Sequence, residues 1–144
     1  MTKDEADIRA IIADHAKALH AKDIDLLFAH NAADFRAFDL APPLQHKGSG
    51  ADARAGTTGW FATWKSPIGW EDRDLAITIG GDVAFSTGLA RITGTKVDGE
   101  EVSIWFRVTT GFVKENGAWK IVHIHHSVPF YMDGSVRACV DLEP

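Results

Sequence analysis

The stretch that decides the fold of this chain is Trp119-Lys120-Ile121-Val122-His123-Ile124-His125-His126-Ser127-Val128-Pro129-Phe130. It follows the turn residues Asn116-Gly117 and is rich in β-branched and aromatic side chains, which predicts a β-strand. Because successive side chains of a strand point to opposite faces, His123 and His125 must share one face while His126 lies on the other. The three histidines therefore cannot form a single site, and function depends on which face looks into a pocket.

Length and composition indicate one ordinary domain. The 144 residues include 45% hydrophobic and 24% charged residues and carry a formal net charge of −5, which argues against partners such as nucleic acid or anionic lipid. The single cysteine, Cys139, permits no internal disulfide and suits a reducing compartment. The acidic amino terminus is unlike a signal peptide, and no apolar run approaches the length of a membrane span. We therefore expect a cytoplasmic protein with no membrane partner.

The first half of the chain predicts helices. Thr2 and Glu5 have the spacing of a capping box, and apolar residues then recur with a helical period to about Lys22. Asp23 is placed to cap a second, short helix, and Ser49 is placed to cap a third. The third helix carries three aromatic residues, Trp60, Phe61 and Trp64.

The rest of the chain predicts strands. A short strand from Phe35 to Leu40 ends at the helix-incompatible pair Pro42-Pro43, and only strands and turns are indicated from Glu71 onward. This order predicts an α+β fold in which N-terminal helices pack on a run of long antiparallel hairpins. Residues 1–144 are expected to form one domain, with a core of about 5–130 and a tail of 131–144.

The type of each turn decides which residues share a face of the sheet. A three-residue loop at Glu115-Asn116-Gly117 pairs Phe106 with His126 on one apolar face. A two-residue Asp98-Gly99 turn adds Arg91 to the same face. We prefer the three-residue loop to the rival two-residue Asn-Gly turn because a register slip of one residue flips every side chain, and only this register yields one clean apolar face.

The apolar face must lie under the helices, where an arginine and a histidine are costly to desolvate without partners. In one interpretation Arg91 reaches out to solvent and His126 bonds a backbone carbonyl. In the other, Arg91 attracts an anionic or carbonyl oxygen in a pocket, His126 exchanges a proton, and Asp39 acts as the carboxylate base. Four further residues are candidates for the lining of such a pocket: Phe106, Thr110, Trp60 and Trp64.

The opposite face of the sheet is mixed in character. It carries Trp105, Arg107, His123 and His125. His-x-His on a strand can chelate a metal, but no carboxylate or cysteine of the same parity lies beside it, so we predict no metal site. An aromatic and histidine-rich surface favours a subunit interface, and we expect a homodimer through this face.

Several segments resemble one family. They are FDLAPPLQHKG (38–48), ARITGTKVDG (90–99) and FRVTTGFVKENGAWKIVHIHHSVPF (106–130). Within most of residues 5–130 the chain is similar to the SnoaL-like branch of the nuclear transport factor 2-like superfamily, which includes ketosteroid isomerase and the association domain of calcium/calmodulin-dependent protein kinase II. The resemblance implies a cone-shaped, cystatin-like fold with a concave pocket and a convex sheet face that commonly forms dimers.

The kinase association domain has arginines in its pocket. Arg91 matches one of them, whereas Thr110 and His126 occupy the other two positions, which implies a less cationic pocket in this chain.

The resemblance is compatible with two functions, both without a cofactor and both on a small hydrophobic or carbonyl-bearing ligand. The first is an isomerase, cyclase or dehydratase in which Asp39 removes a proton next to a carbonyl while Arg91 and His126 stabilise the enolate oxygen. The second is a non-catalytic ligand-binding or oligomerisation module. The two stand nearly equal, and one observation favours the second: the only tyrosine, Tyr131, lies beyond the last strand, so the oxyanion hole of ketosteroid isomerase is not visible in the sequence.

Overall fold

The computed structural model describes all 144 residues and begins with two helices. Helix α1 spans Lys3–Ala21; its N-cap is Thr2, whose hydroxyl accepts a hydrogen bond from the backbone N–H of Glu5 at 3.1 Å. Lys22 ends α1 in the left-handed conformation with φ of 53°. Helix α2, Ile24–Phe28, is capped by Asp23. Both helices are confirmed as predicted. Neither they nor any other helix is both long enough and apolar enough to cross a membrane.

Helix α3 spans Ala51–Phe61 and differs from the prediction at both ends. Gly50 is its N-cap and has no side chain to make a capping hydrogen bond. The hydroxyl of Ser49, the predicted cap, accepts a hydrogen bond from the Asn31 side-chain amide at 3.0 Å. Trp64 lies beyond the carboxyl end of the helix rather than on it.

Six strands form one mostly antiparallel sheet. They are β1 (Asn31–Phe38), β2 (His46–Lys47), β3 (Gly69–Gly80), β4 (Val83–Thr95), β5 (Glu101–Glu115) and β6 (Ala118–Ser127). Their order is β2-β1-β6-β5-β4-β3, and only the β1–β6 pair is parallel. The predicted α+β architecture is confirmed, although β1 begins before Phe35 and ends one residue before Asp39.

The helices cover only one face of the sheet, which we call the concave face; the other is the convex face. Two clusters of buried apolar side chains lie on the concave face. The first consists of Ile8, Ile11, Phe35, Ala84, Phe112, Trp119 and Ile121. The second consists of Leu19, Phe61, Trp64, Ile68, Ala90, Ile92 and Phe106.

The hairpin between β5 and β6 has a two-residue turn, so the predicted three-residue loop is wrong. Asn116 and Gly117 have φ of 51° and 80°, the pair of positive values that the tight hairpin turn requires. The register then shifts by one residue at a bulge that follows Ile121 on β6. Beyond the bulge His126 pairs with Val108 and faces the concave side as predicted, although not opposite Phe106.

Because of the same bulge, the β6 residues that are buried near the turn differ from those predicted. Ile121 and Trp119, which are 5% and 3% exposed, face the core. The predicted register instead placed Val122 and Lys120 there. A buried lysine without a partner is costly, and the bulge avoids it by reversing the parity of β6 between its two ends.

The hairpin between β4 and β5 has the longer loop. Lys96 donates its N–H to the carbonyl of Glu100 at 2.8 Å, and Gly99 adopts φ of 91° in the three-residue loop between them. The predicted two-residue turn is wrong, and no bulge compensates in this hairpin. Every β4 side chain is therefore on the opposite face to the one predicted, and Arg91 lies on the convex face opposite Trp105.

Candidate active site

The parallel pairing of β1 with β6 brings together two polar side chains that are 87 positions apart in the chain. Phe38 pairs with His125, so Asp39, the next residue, lies beside His126. The Asp39 Oδ1 atom is 3.2 Å from His126 Nδ1. The His126 side chain is 12% exposed and the Asp39 side chain is 49% exposed, so the pair lies at the rim of the concave face with the histidine inward.

The charge state of Asp39 determines the tautomer of His126. Burial raises the pKa of Asp39, but the hydrogen bond and positive charge of His126, with the backbone N–H of Leu40, outweigh this and hold the pKa below its ordinary value. An ionised carboxylate can only accept a hydrogen bond. When its ring is neutral, His126 therefore carries its proton on Nδ1 and leaves the Nε2 lone pair free.

A cavity of about 360 Å³, part of which is open to solvent, lies between α1 and the concave face. Its lining is mainly apolar with a few polar groups. The apolar residues are Ile11, Ile12, Trp70, Val108, Phe112, Ile121 and Ile124, and the polar ones are His15, Asp72, Thr110 and His126. An apolar cavity with a few convergent polar groups is typical of a small-molecule site.

Aromatic rings hold His126 in place. The ring centroid of Phe106 is 5.1 Å from that of His126 and 5.2 Å from that of Trp70. Trp70 also packs against His15 at 4.8 Å and donates its indole N–H to Asp72 Oδ1 at 3.1 Å. These contacts restrict the rotation of both histidines, which is the condition for directional proton transfer.

Two ionisable residues of the cavity were not predicted as site residues, His15 on α1 and Asp72 on β3. Burial, the largest cause, and the positive charge of His126 together lower the pKa of His15 to about 4 against the opposing effect of Asp39. Burial raises the pKa of Asp72 against the opposing hydrogen bond from Trp70. One feature of the sequence could have identified His15: it is an ionisable residue on the apolar stripe of α1, where the other residues are apolar and form the core.

The predicted site residues other than Arg91 are divided among the cavity, the core and the surface of the structure. Asp39 and His126 meet, Thr110 lines the cavity, and Phe106 packs behind His126. Trp64 is buried in the second core cluster and Trp60 lies at the surface, and neither lines the cavity.

The prediction that Arg91 faces the pocket is wrong. Its guanidinium lies 2.7 Å from a carboxylate oxygen of Glu71 and 5.3 Å from the ring centroid of Trp105, on the convex face. The cause is the length of the β4–β5 loop, because one extra loop residue moves the whole strand to the opposite parity.

The shifted pKa of His15 predicts an effect on stability. As pH falls from 6.5 towards 4, the unfolded chain binds a proton at this position that the folded chain does not bind, so the free energy of unfolding decreases. At pH 4.5 the loss is about 2.5 kcal/mol relative to neutral pH. Urea unfolding at pH 7.5 and 4.5 should show this additional loss in the wild type and not in His15→Phe. His20, exposed on the same helix, supplies the control His20→Phe; equal acid sensitivity of all three proteins would contradict the prediction.

Comparison with known proteins identifies the family of this chain. The model of the SnoaL-like domain matches residues 8–131. The chain belongs to the SnoaL-like domain family. A search of curated proteins gave no match to this SnoaL-like chain.

Three solved structures show the fold that this SnoaL-like chain shares. A nuclear transport factor 2-like protein of unknown function from Pseudomonas putida KT2440 is 30% identical, with a TM-score of 0.88 over 100% of this chain and 99% of the other. A protein proposed to be a ketosteroid isomerase, from Shewanella frigidimarina, is 22% identical, with a TM-score of 0.68 over 82% and 92% of the two chains. A protein of unknown function with a cystatin-like fold, from Nostoc punctiforme, is 17% identical, with a TM-score of 0.73 over 88% and 91%. The predicted cone-shaped, cystatin-like fold is confirmed.

Proposed function

We propose that this SnoaL-like domain binds a small carbonyl compound in its concave cavity and catalyses a cofactor-independent proton transfer of the isomerase, cyclase or dehydratase kind. The observation that carries the proposal is the hydrogen bond between Asp39 and His126 at the wall of a mainly apolar cavity. A histidine oriented by a carboxylate is a common general base in enzymes.

The roles of the two residues differ from those predicted from the sequence. The lowered pKa of Asp39 makes it a weak base, and one of its oxygens is engaged with His126. His126 is therefore the group that takes the proton through Nε2, and Asp39 is the positioning residue that stabilises the imidazolium formed.

The proposed step is a balanced proton transfer. The Nε2 lone pair of His126 removes a proton from the carbon next to the carbonyl. The electrons of that C–H bond form the carbon–carbon double bond of an enolate, and the carbonyl π electrons move to oxygen. The imidazolium then returns the proton to the same or a conjugated carbon, which gives exchange or isomerisation without a cofactor.

The Shewanella frigidimarina protein shares the fold and is proposed to be a ketosteroid isomerase, so the fold is compatible with this reaction class. At 22% identity the likeness extends to the fold alone, so the argument for chemistry depends on the residues of this chain.

Deuterium exchange at carbon tests the proposal without knowledge of the natural substrate. We expect 3-cyclohexen-1-one, 2-tetralone or acetophenone to lose α-proton NMR signal in D₂O faster with protein than in buffer. His126→Phe should slow the exchange about 100-fold, a typical contribution of a general base. His125→Phe, on the adjacent convex position, is the matched control and should retain the rate. Catalysed exchange that survives His126→Phe, or no catalysed exchange of any of the three ketones, would contradict the proposal.

A non-catalytic ligand-binding module is the second candidate function. The favouring observation is that the hydroxyl of Tyr131 bonds Asp141 in the C-terminal segment, so no tyrosine donates into the cavity. Binding of the ketones in the cavity without α-proton exchange would favour this candidate.

We also propose that the convex face forms a homodimer. It carries the predicted residues Trp105, Arg107, His123 and His125 together with Phe85, which is 48% exposed, and no helix covers it. A half-exposed aromatic ring on an uncovered sheet face favours a second copy of the chain as its partner.

Sedimentation at micromolar concentration tests this interface. We expect a dimer for the wild type and a monomer for Trp105→Glu, because the substitution places a desolvated carboxylate within the interface. Trp60→Glu changes a surface tryptophan of α3 and should leave the dimer intact. A monomeric wild type, or a dimer unaffected by Trp105→Glu, would remove the proposal.

A further inference from the structure

His15 is the one ionisable side chain of the cavity wall with no hydrogen-bond partner in the protein. Asp72 accepts from the Trp70 indole, and His126 is bonded to Asp39. His15 contacts Trp70 through an edge-to-face ring packing and lies on the cavity side of α1, among Ile11 and Ile12. Neither ring nitrogen is among the fully buried polar atoms that lack a partner, so each keeps some surface that water or a ligand can reach. A ligand is the natural partner for these nitrogens.

The charges around the cavity restrict the ligand that could supply this partner. No lysine or arginine lines the cavity around His126. Arg73 borders an adjoining space of about 270 Å³, but its guanidinium lies 4.5 Å from the ring centroid of Trp105 on the convex face. The carboxyl groups present are Asp72 in the lining and Asp39 behind His126. An anionic ligand would meet these carboxylates and no fixed cation, so the wall disfavours a carboxylate-bearing compound.

We propose that His15 donates a hydrogen bond to the oxygen of an uncharged ketone or aldehyde, and that the cavity selects such compounds over carboxylates of the same shape. This inference rests on the proposed function, because it names the ligand class of the same cavity. His15 then supplies the contact to the carbonyl oxygen that the sequence had suggested for Arg91. Burial is the main cause that holds the pKa of His15 at about 4, so the ring is uncharged at neutral pH. A neutral imidazole still carries one N–H that can donate a hydrogen bond.

Two histidines on opposite walls of the cavity would then act on different atoms of one carbonyl compound. His15 on α1 contacts the oxygen, where negative charge develops, and His126 on β6 contacts the adjacent carbon, where the proton leaves. A hydrogen bond that strengthens as the oxygen becomes negative stabilises the transition state more than the bound ketone. Replacement of His15 should therefore reduce both the selectivity for ketones and the rate of proton exchange.

Three benzene derivatives of matched shape test the ligand class. They are acetophenone, its alkene analogue α-methylstyrene, and benzoate. We expect a ¹H–¹⁵N NMR titration of the full chain at pH 7.5 to show acetophenone binding about tenfold more tightly than α-methylstyrene, the value of about one good hydrogen bond. Benzoate should bind more weakly than acetophenone. Benzoate binding as tightly as acetophenone would overturn the inference without any variant.

His15→Phe keeps a ring on Trp70 but removes both nitrogens. It should abolish the preference for acetophenone over α-methylstyrene while leaving the affinity for α-methylstyrene within about twofold. His15→Gln restores a donor and should recover part of the preference, and His20→Phe on the exposed side of α1 should change nothing. A preference that survives His15→Phe overturns the inference.

These outcomes separate the inference from the proposed function. If ketone selectivity depends on His15 but no proton exchange is catalysed, the proposed catalysis is wrong and the proposed ligand class stands. Proton exchange that depends on His126, with no selectivity due to His15, retains the catalysis and removes the inference.

Discussion

Replacing Asp39 by asparagine is expected to slow the His126-dependent proton exchange about 100-fold, nearly as much as replacing His126 itself. The amide has the size of the carboxylate but no charge, so it cannot stabilise the imidazolium. Its NH₂ group can also donate to Nδ1, which favours the tautomer whose Nε2 carries the proton and cannot act as a base. The measurement is the rate of α-proton exchange at saturating ketone.

The two substitutions should be strongly non-additive. If Asp39 acts only through His126, then Asp39→Asn adds little to the loss already caused by His126→Phe. Asp34→Asn changes an exposed aspartate of β1 and should keep the wild-type rate. Equal multiplicative losses from the two substitutions in the double variant would show that Asp39 acts independently, as the direct base originally predicted.

Replacing Trp64 by alanine is expected to destabilise the fold by about 4 kcal/mol, because it removes a large side chain from a packed core. Trp64 is 4% exposed and lies within the second core cluster, and Lys96 Nζ stacks 3.9 Å from a ring centroid of its indole. Its ring also packs closely on the backbone of Gly94, where any Cβ would lie 2.9 Å from the ring.

Trp60→Ala is the matched comparison, because Trp60 is an aromatic neighbour that is 37% exposed. It should cost about 1 kcal/mol or less in the free energy of unfolding measured with urea. Neither tryptophan lines the cavity, so where each variant is folded its affinity for acetophenone should match that of the wild type. If Trp64→Ala lost affinity for acetophenone at unchanged stability, Trp64 would be part of the ligand site, as predicted from the sequence.

The sequence was most informative where structure depends on neighbouring residues. The N-cap at Thr2 and the cap at Asp23 act over a few residues, and each has its predicted effect. The alternation of β6 holds from His123 to Ser127 and reverses only at the bulge that follows Ile121. The opposite orientations of His125 and His126 follow from strand geometry alone. His126 therefore lies on the concave face as predicted, although the turn chosen to place it there was wrong.

Turn lengths were less predictable because Asn-Gly and Asp-Gly are each compatible with two kinds of hairpin loop. In the β5–β6 hairpin the bulge on β6 cancels the error in turn length, so His126 was placed on the correct face. In the β4–β5 hairpin no bulge does so, and Arg91 was placed on the wrong face. Parity along a strand is a two-valued property, and one unrecognised residue in a loop reverses it for every side chain that follows.

By itself, then, the sequence determined the α+β class, the first two helices and the separation of the histidines onto two faces, because short-range backbone geometry governs all three. Tertiary structure alone decided the site. Asp39 reaches His126 only because β1 joins β6 in parallel, a pairing between segments 87 positions apart that no local pattern specifies. His15 belongs to the cavity rather than the core only because α1 crosses the sheet there and leaves space beside Trp70, a matter of how the elements pack.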